Sequence, residues 1–320
     1  QEESMGKEYD FFKDKGLHNE SIDLGFNHKS GLFVNGGYTR NNHGGWQGDL
    51  TGREKRWHPK DQALMNGMFG FQNRNMNVWY RLDFLDEKIF GPNNGSELQP
   101  EKVSDKDFLT KRYTHQLQSD WKLDNRLDVH AALSYQDYKR RTRTTESDLS
   151  TGEKWLSSAE ASQDITQYKA WIARATVAWN IAPEFSVQPG VEYQWTQGEG
   201  GRIDGTPKVS DLAFFLSAEY KPWEWLSLRP GVRTFIVADY DAPIAIPSVL
   251  TKFKLTKHMD LRLSYAYGFR SPTLQELYFS FHNDNHDIDG NPDLKAEYSH
   301  NITGSVAYRV LHSEKIHLTT

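Results

Sequence analysis

The chain has 320 residues, a formal net charge of −5, no cysteine, and 10 Trp, 15 Tyr and 17 Phe. The lack of Cys excludes disulfides, thiolate metal sites and a Cys nucleophile, and the acidic balance argues against a nucleic-acid partner. A mean hydropathy of −0.75 with no apolar run of about 18 residues excludes a transmembrane helix; a membrane-spanning barrel has the same average, because only alternate residues face lipid.

Residues 1–20 are polar and without alternation apart from a patch at Tyr9–Phe12, and read as the tail of an outer loop. Gln1-Glu2-Glu3-Ser4 is neither the basic nor the apolar part of a secretion signal, so an exported protein is expected to lack its beginning here. From Ser21 the pattern becomes strand-like. Ile22, Leu24 and Phe26 alternate with polar or small residues, Lys29-Ser30-Gly31 turns, and Leu32, Val34, Gly36 and Tyr38 run back. Side chains of a strand alternate between faces, so each such segment carries one apolar and one polar face. A long polar segment at 41–61 holds His43, Trp46 and His58. Strands are then predicted at 63–71, 76–84, 113–121, 127–135, 171–179, 185–195, 212–220, 226–236 and 249–255. Short turns (Asn73-Arg74-Asn75, Leu123-Asp124-Asn125, Ile181–Glu184, Lys221–Glu224) take turns with long polar loops, including about twenty residues around Gly91–Gly95 and the stretch 141–166.

The next strand, Met259–Gly268, sets Leu261, Leu263, Tyr265 and Tyr267 on one face. A polar loop follows, and strand composition returns at Tyr298, Asn301, Thr303 and Tyr308. Twelve or thirteen strands whose connections alternate short and long predict a transmembrane antiparallel barrel, with short turns at one rim and long loops at the other. A soluble sandwich or propeller gives no reason for that asymmetry. Aromatics at strand ends (Trp121, Trp179, Phe185, Tyr220, Trp225) fit a membrane-interface girdle.

Two motifs flank the last long loop: GFRSPTLQELYF at 268–279, with Phe269, Arg270, Pro272 and Glu276, and GNPDLKAE at 290–297, with Asn291, Pro292, Asp293 and Leu294. In this order, each beside a strand, they resemble the paired FRAP-like and NPDL-like motifs of TonB-dependent outer-membrane receptors. Ser271 and Ala296 depart from the usual Ala and Pro. The resemblance implies a 22-stranded barrel around an amino-terminal plug, of which this chain is expected to be an interior portion, all one barrel domain over 1–320. It further implies a location in the outer membrane of a Gram-negative bacterium. The implied activity is active import of a metal-bearing nutrient, an iron–siderophore complex or haem first and cobalamin or an oligosaccharide next. The TonB–ExbB–ExbD complex would supply the energy through the plug, and a surface lipoprotein or haemophore is a further possible partner. No catalysis and no intrinsic cofactor are implied.

Between the motifs lies Phe281-His282-Asn283-Asp284-Asn285-His286. Imidazole is a common axial ligand to haem iron, and haem receptors of this family often place a His there, so His282 and His286 are candidate iron ligands, with Phe281 and Asn283 beside them. As a bland alternative, both are solvated loop histidines. His43, Trp46 and His58 form a second candidate cluster. Arg270, Glu276 and Asp293 read as structural, Arg270 pairing with a loop carboxylate and the two prolines stiffening the loop bases. The run Lys139-Arg140-Arg141-Thr142-Arg143 at the outer end of a strand suits lipopolysaccharide phosphates or is a solvated face. No GxSxG, HExxH or phosphate-cradling loop points to an enzyme. Other readings are a passive channel or adhesin on a similar barrel, and a soluble β-rich binding protein.

Overall fold

The structure is a computed structural model that describes residues 16–159, 162–238, 240–283, 286–311 and 314–319. The patch at Tyr9–Phe12 lies outside them. Its strands form successive hairpins: β1 (Leu17–Asn27) with β2 (Leu32–His43), β3 (Lys60–Gln72) with β4 (Met76–Gly91), and β5 (Lys102–Lys122) with β6 (Leu127–Asp148). After the short β7 (Lys154–Leu156) come β8 (Ile165–Ala182) with β9 (Phe185–Glu199), β10 (Lys208–Trp223) with β11 (Leu226–Ala238), and β12 (Ile246–Lys254) with β13 (Met259–Arg270). The motif loop holds a helix, α1 (Leu274–Tyr278), and a hairpin, β14 (Ser280–Asn283) with β15 (His286–Asp289). β16 (Glu297–Leu311) and β17 (Glu314–Thr319) follow.

Fourteen of these strands make one antiparallel sheet in chain order from β1 to β17, with β7 attached to β6 and the β14–β15 hairpin apart. The strand count is thus one above the upper figure of thirteen expected, the addition being β17. Each strand returns beside its predecessor, so the connections fall alternately at the two rims. Turns 28–31, 73–75, 123–126, 183–184, 224–225 and 255–258 are at one rim, and 44–59, 92–101, 149–164, 200–207, 239–245 and 271–296 are at the other. The long connections touch one another there. Arg53 reaches from the first to Asp105 at the start of β5 (2.7 and 3.0 Å), and backbone bridges join Ile203 to Phe279 and Asp241 to Lys295.

Register explains which side chains face where. Ile22 opposes Tyr38, which opposes Met65, which opposes Phe84, which opposes Tyr113, so one apolar face runs across strands. That face is open: Leu24 is 72 % and Ile302 81 % exposed. In water such a stripe is costly; against lipid it is matched. On β5, Trp121 and Tyr113 sit eight residues apart on this face, about 27 Å of strand and about 20 Å of height at a tilt of ~40°, close to the ~25 Å apolar band of outer-membrane barrels. Trp179 and Trp171 repeat the spacing on β8. The opposite face is polar. Glu192 on β9, 2 % exposed, is held by Arg174 on β8, Arg233 on β11 (2.7 Å) and Gln194 (2.8 Å). A buried carboxylate needs such partners to stay charged.

The buried apolar side chains Leu85, Val103, Ile203, Ala213, Leu274, Leu277 and Ala296 all lie towards the long-connection rim. A single-layered wall has no core of its own, so close packing occurs only where loops fold over it. Three expectations need correction. Residues 17–20, read as loop, already belong to β1. The loop of about twenty residues after β4 shrinks to 92–101, because β4 runs to Gly91 and β5 starts at Lys102; the stretch from 141 is strand up to Asp148. These outer extensions stay paired by backbone hydrogen bonds after leaving the apolar layer, where side-chain alternation no longer marks them.

Candidate functional site

The motif loop is fixed at its base by Arg270, the last residue of β13. Its guanidinium grips Glu297, its partner in register on β16, through Nε (2.9 Å) and an NH2 (2.7 Å), and grips Glu276 through both NH2 groups (3.1 and 3.2 Å). Planar bidentate pairing suits Arg and not Lys. Glu276 also closes the capping box of α1: its carboxylate accepts from the Thr273 backbone N–H (2.8 Å), while the Thr273 hydroxyl accepts from the Glu276 N–H (3.2 Å). The Arg270 guanidinium, followed by Thr273, draws the Glu276 carboxyl down to about 2.

Leu274 and Leu277 on one side of α1 are buried, and the helix rests against β9. Behind it the second motif returns. Gly290 N–H donates to Phe279 O (2.6 Å) and Asn291 N–H to Glu276 O (3.1 Å). A Cβ on Gly290 would stand 2.6–2.7 Å from backbone atoms of Phe279 and Leu277, so only glycine allows this approach. Asn291 Oδ1 accepts from Asp293 N–H (2.9 Å), and a turn brings Leu294 N–H to Asn291 O (3.2 Å). Pro272 is buried and Pro292 exposed. Phe269 packs on Phe235, Tyr240 and Tyr298 (centroids 5.2–6.4 Å).

Held this way, the loop leans over a cavity of about 680 Å³ on the inward face of the outer ends of β5, β6 and β8. Its walls carry Lys106 and Phe108 from β5, Tyr138 and Arg140 from β6, and Tyr168 from β8; the roof adds Arg202, Phe281 and His282. The Arg140 guanidinium lies 4.4 Å over the Phe108 ring and that of Arg202 4.3 Å over Phe281. Among the described residues neither these arginines nor Lys106 has a carboxylate within 4.0 Å. The only acid among the described residues of the wall, Asp164, is already engaged by Gly201 N–H (2.6 Å) and Thr166 Oγ1 (2.9 Å). Thr144, also on the wall and 3 % exposed, has a hydroxyl without a hydrogen-bond partner. Cations without a carboxylate partner among the described residues, two of them over aromatic rings, beside a buried hydroxyl, are a lining whose charge and π-faces would suit an anionic ligand with planar groups.

His282 projects from β14 between two carboxylates of β15. Its Nδ1 lies 2.6 Å from Asp287 and its Nε2 3.0 Å from Asp289. Hydrogen bonds to Asp287, then to Asp289, hold its pKa above the ordinary imidazole value. With both ring nitrogens turned to carboxylates the ring is a double donor, and neither lone pair is offered to a haem iron in this arrangement. Asn283 and His286 pair in register at the hairpin tip; their side chains, with Asp284 and Asn285, lie outside the described residues. In the second cluster His43 and Trp46 meet around Trp57 (centroids 5.9 and 5.3 Å), and His58 sits by Gly91 at the end of β4. Trp57 was not among the candidates, although it directly precedes His58 in the same polar stretch. Nine strand steps separate β3, next to this cluster, from β13, next to the motif loop.

Sequence reasoning found the loop and missed the cavity walls, except through the basic run on β6. Strand parity splits that run: Arg140 faces inward to the cavity, while Lys139 and Arg141 face outward.

Solved structures share this architecture. The siderophore receptor PirA from Pseudomonas aeruginosa superposes with a TM-score of 0.67 at 12 % identity, covering 92 % of this chain and 49 % of that one. The outer membrane transporter YddB from Escherichia coli gives 0.66 at 13 % identity over 91 % and 44 %, and the copper transporter OprC 0.64 at 13 % over 92 % and 49 %. The chain therefore spans about half the length of the structures it resembles. No curated protein sequence matches it. The family model "TonB dependent receptor-like, beta-barrel" matches residues 4–314, nearly the whole sequence. With the single-layer sheet, the lipid-type outer face and the paired motifs in place, the chain belongs to the TonB-dependent receptor β-barrel family.

Proposed function

We propose that this barrel is part of a TonB-dependent importer, in a bacterial outer membrane, for an anionic metal chelate, an iron–siderophore complex foremost. The observation that carries the reading is the cavity with its three unpaired cations, Lys106, Arg140 and Arg202, set against Phe108, Phe281, Tyr138 and Tyr168. A ferric chelate with planar anionic arms offers charge to the cations and π-faces to the rings. Haem, with two carboxylates on a flat ring, is the second reading; it would use the same cations, and the double pairing of His282 argues against iron ligation by that residue. Cobalamin or an oligosaccharide would leave the cations uncompensated. Import would draw energy from the TonB–ExbB–ExbD complex through a plug, and would break no bond in the ligand.

The test is ligand titration of the intact receptor by intrinsic fluorescence quenching, with a ferric tris-catecholate, haem and cobalamin as probes. Arg140→Gln and Arg202→Gln are each expected to weaken chelate binding about tenfold, the worth of one charge-assisted hydrogen bond of ~1.5 kcal/mol. Equal affinity in both variants would refute the cavity as the binding site. A Soret shift that disappears in His282→Ala would restore the haem-ligand reading.

A further inference from the structure

The β14–β15 hairpin has two unlike faces. In a two-stranded ribbon alternate side chains share a side, and the register sets His282 directly opposite Asp287 and Ser280 opposite Asp289. Those four residues therefore occupy one face, with Phe281 and Ile288 on the other. The second face is tied down, since the Arg202 guanidinium lies 4.3 Å over the Phe281 ring. Both strands are also pinned at the hairpin base, where Ser280 N–H donates to Arg202 O (3.1 Å) and Gly290 N–H to Phe279 O (2.6 Å). The first face is open to solvent at His282, Asp287 and Asp289.

An imidazole nitrogen and one oxygen from each carboxylate of this face lie within 4.8 Å of one another. Among the described residues no Lys or Arg comes within 4.0 Å of either acid. Even a protonated His282 leaves the trio with one negative charge in excess, so the face attracts a further cation. The two contacts of the ring differ. Asp287 stands 2.6 Å from Nδ1, a short charge-assisted contact, and Asp289 stands 3.0 Å from Nε2. Two ligands at roughly 2.1 Å from a tetrahedral Zn²⁺ are about 3.3 Å apart, so an ion in place of the Nε2 proton widens the second gap by only about 0.3 Å. The first contact then persists, and a metal-bound imidazole ordinarily gives its other N–H to such a carboxylate. A haem iron, ringed by its macrocycle, has no room for Asp289 beside the imidazole. A hydrated ion takes that carboxylate as a second ligand, and imidazole suits Zn²⁺, Cu²⁺ and Ni²⁺ where it does not suit Mg²⁺ or Ca²⁺.

We propose that this face is a cation site: His282 Nε2 and Asp289 ligate a hydrated divalent transition-metal ion of the Zn²⁺ class, and Asp287 orients the imidazole from its other nitrogen. The Nε2 proton passes to solvent as the metal–nitrogen bond forms. The site goes beyond the import reading and does not depend on it, because it needs only the folded hairpin. The ion held here is not the chelated cargo of the cavity.

The experiment is titration of the intact, chelator-stripped receptor with Zn²⁺ alone, followed by calorimetry and by hydrogen exchange over 280–289. Zn²⁺ is expected to slow exchange of the hairpin in the parent, relative to the metal-free protein. It is expected to leave exchange unchanged in His282→Gln and in Asp289→Asn, each of which lacks a ligand. Asp287→Asn is expected to bind about ten- to a hundredfold more weakly, the usual cost of removing a carboxylate that orients a ligating imidazole, and Asp287→Glu to recover most of that loss. His258→Gln, in a short turn at the opposite rim, is expected to match the parent. Mg²⁺ at the same concentration is expected to give no protection. Heat-modifiable electrophoretic migration checks that each variant is a folded barrel. Equal Zn²⁺ protection in a folded His282→Gln overturns the proposal, as does equal protection by Mg²⁺, which would mark charge screening of the two acids only. Chelate binding in the cavity is scored by the Arg140→Gln and Arg202→Gln variants, so either reading can fail alone.

Discussion

Leu277→Ala tests how the motif loop is held. Leu277 is 2 % exposed and lies in a helix of five residues, too short to persist alone. The loop's position must therefore come from its anchors, which are the Arg270 clamp and the buried leucines. Truncating a fully buried Leu to Ala costs about 2–5 kcal/mol, and a short rim helix that can settle into the space belongs at the lower end, about 2. Two kcal/mol multiplies the population of an opened loop roughly thirtyfold. Hydrogen exchange followed by mass spectrometry on the intact receptor reads this directly. Peptides over 274–290 are expected to exchange about thirtyfold faster, while those over β8 and β9 within the apolar band keep their protection, because local opening leaves the ladder intact. Unchanged exchange over 274–290 would refute the anchoring role of Leu277. Loss of protection throughout the sheet would instead make the helix part of the barrel's global stability.

The β14–β15 hairpin should be pH-sensitive. A folded-state pKa of His282 raised by Asp287 and Asp289 means that the pairing stabilises the hairpin fully below the ordinary imidazole value and is lost as pH climbs through the raised one. Exchange at 280–289, corrected for its intrinsic pH dependence, is expected to quicken across that rise in the parent and not in His282→Gln; an identical profile in both would contradict it. Gly290→Val must displace either Phe279 or Leu277, whose backbone atoms stand 2.6–2.7 Å from the new Cβ. It is expected to expose the motif loop to limited proteolysis while the heat-modifiable barrel survives, and a parent-like digestion pattern would count against the packing described. The Arg140→Gln and Arg202→Gln titrations complete the set.

The barrel was readable because lipid imposes a period. From Ile22 to Tyr308 the membrane-facing positions are mostly apolar, His115 being a polar one that shares a 2.6 Å hydrogen bond with the Tyr80 hydroxyl, and the resulting alternation marks each strand and its register. Where lipid ends the constraint ends, so the continuations of β5 through Lys102–Leu109 and of β6 through Arg141–Asp148 look like loop although their ladder continues. Helix α1 has no apolar period at five residues; its sign was the Thr273–Glu276 capping box inside the first motif. The cavity was hidden for another reason. Lys106, Arg140 and Arg202 come from two strands and a distant connection, and nothing in their local sequence says that they converge. Strand parity alone separates Arg140 from Lys139 and Arg141, and it becomes usable only once Tyr135 fixes which face is outward.

The central claim is that the long connections gather outside the cell, with the short turns on the periplasmic side. A chain without cysteine allows a clean test: single substitutions Asn94→Cys, Thr151→Cys and Gly205→Cys in long connections, and Asn73→Cys, Asp124→Cys and Lys257→Cys in short turns, probed on intact cells with a membrane-impermeant maleimide. The account predicts labelling of the first three and protection of the last three until the outer membrane is opened. Labelling of both sets on intact cells, or of the short turns alone, would contradict it.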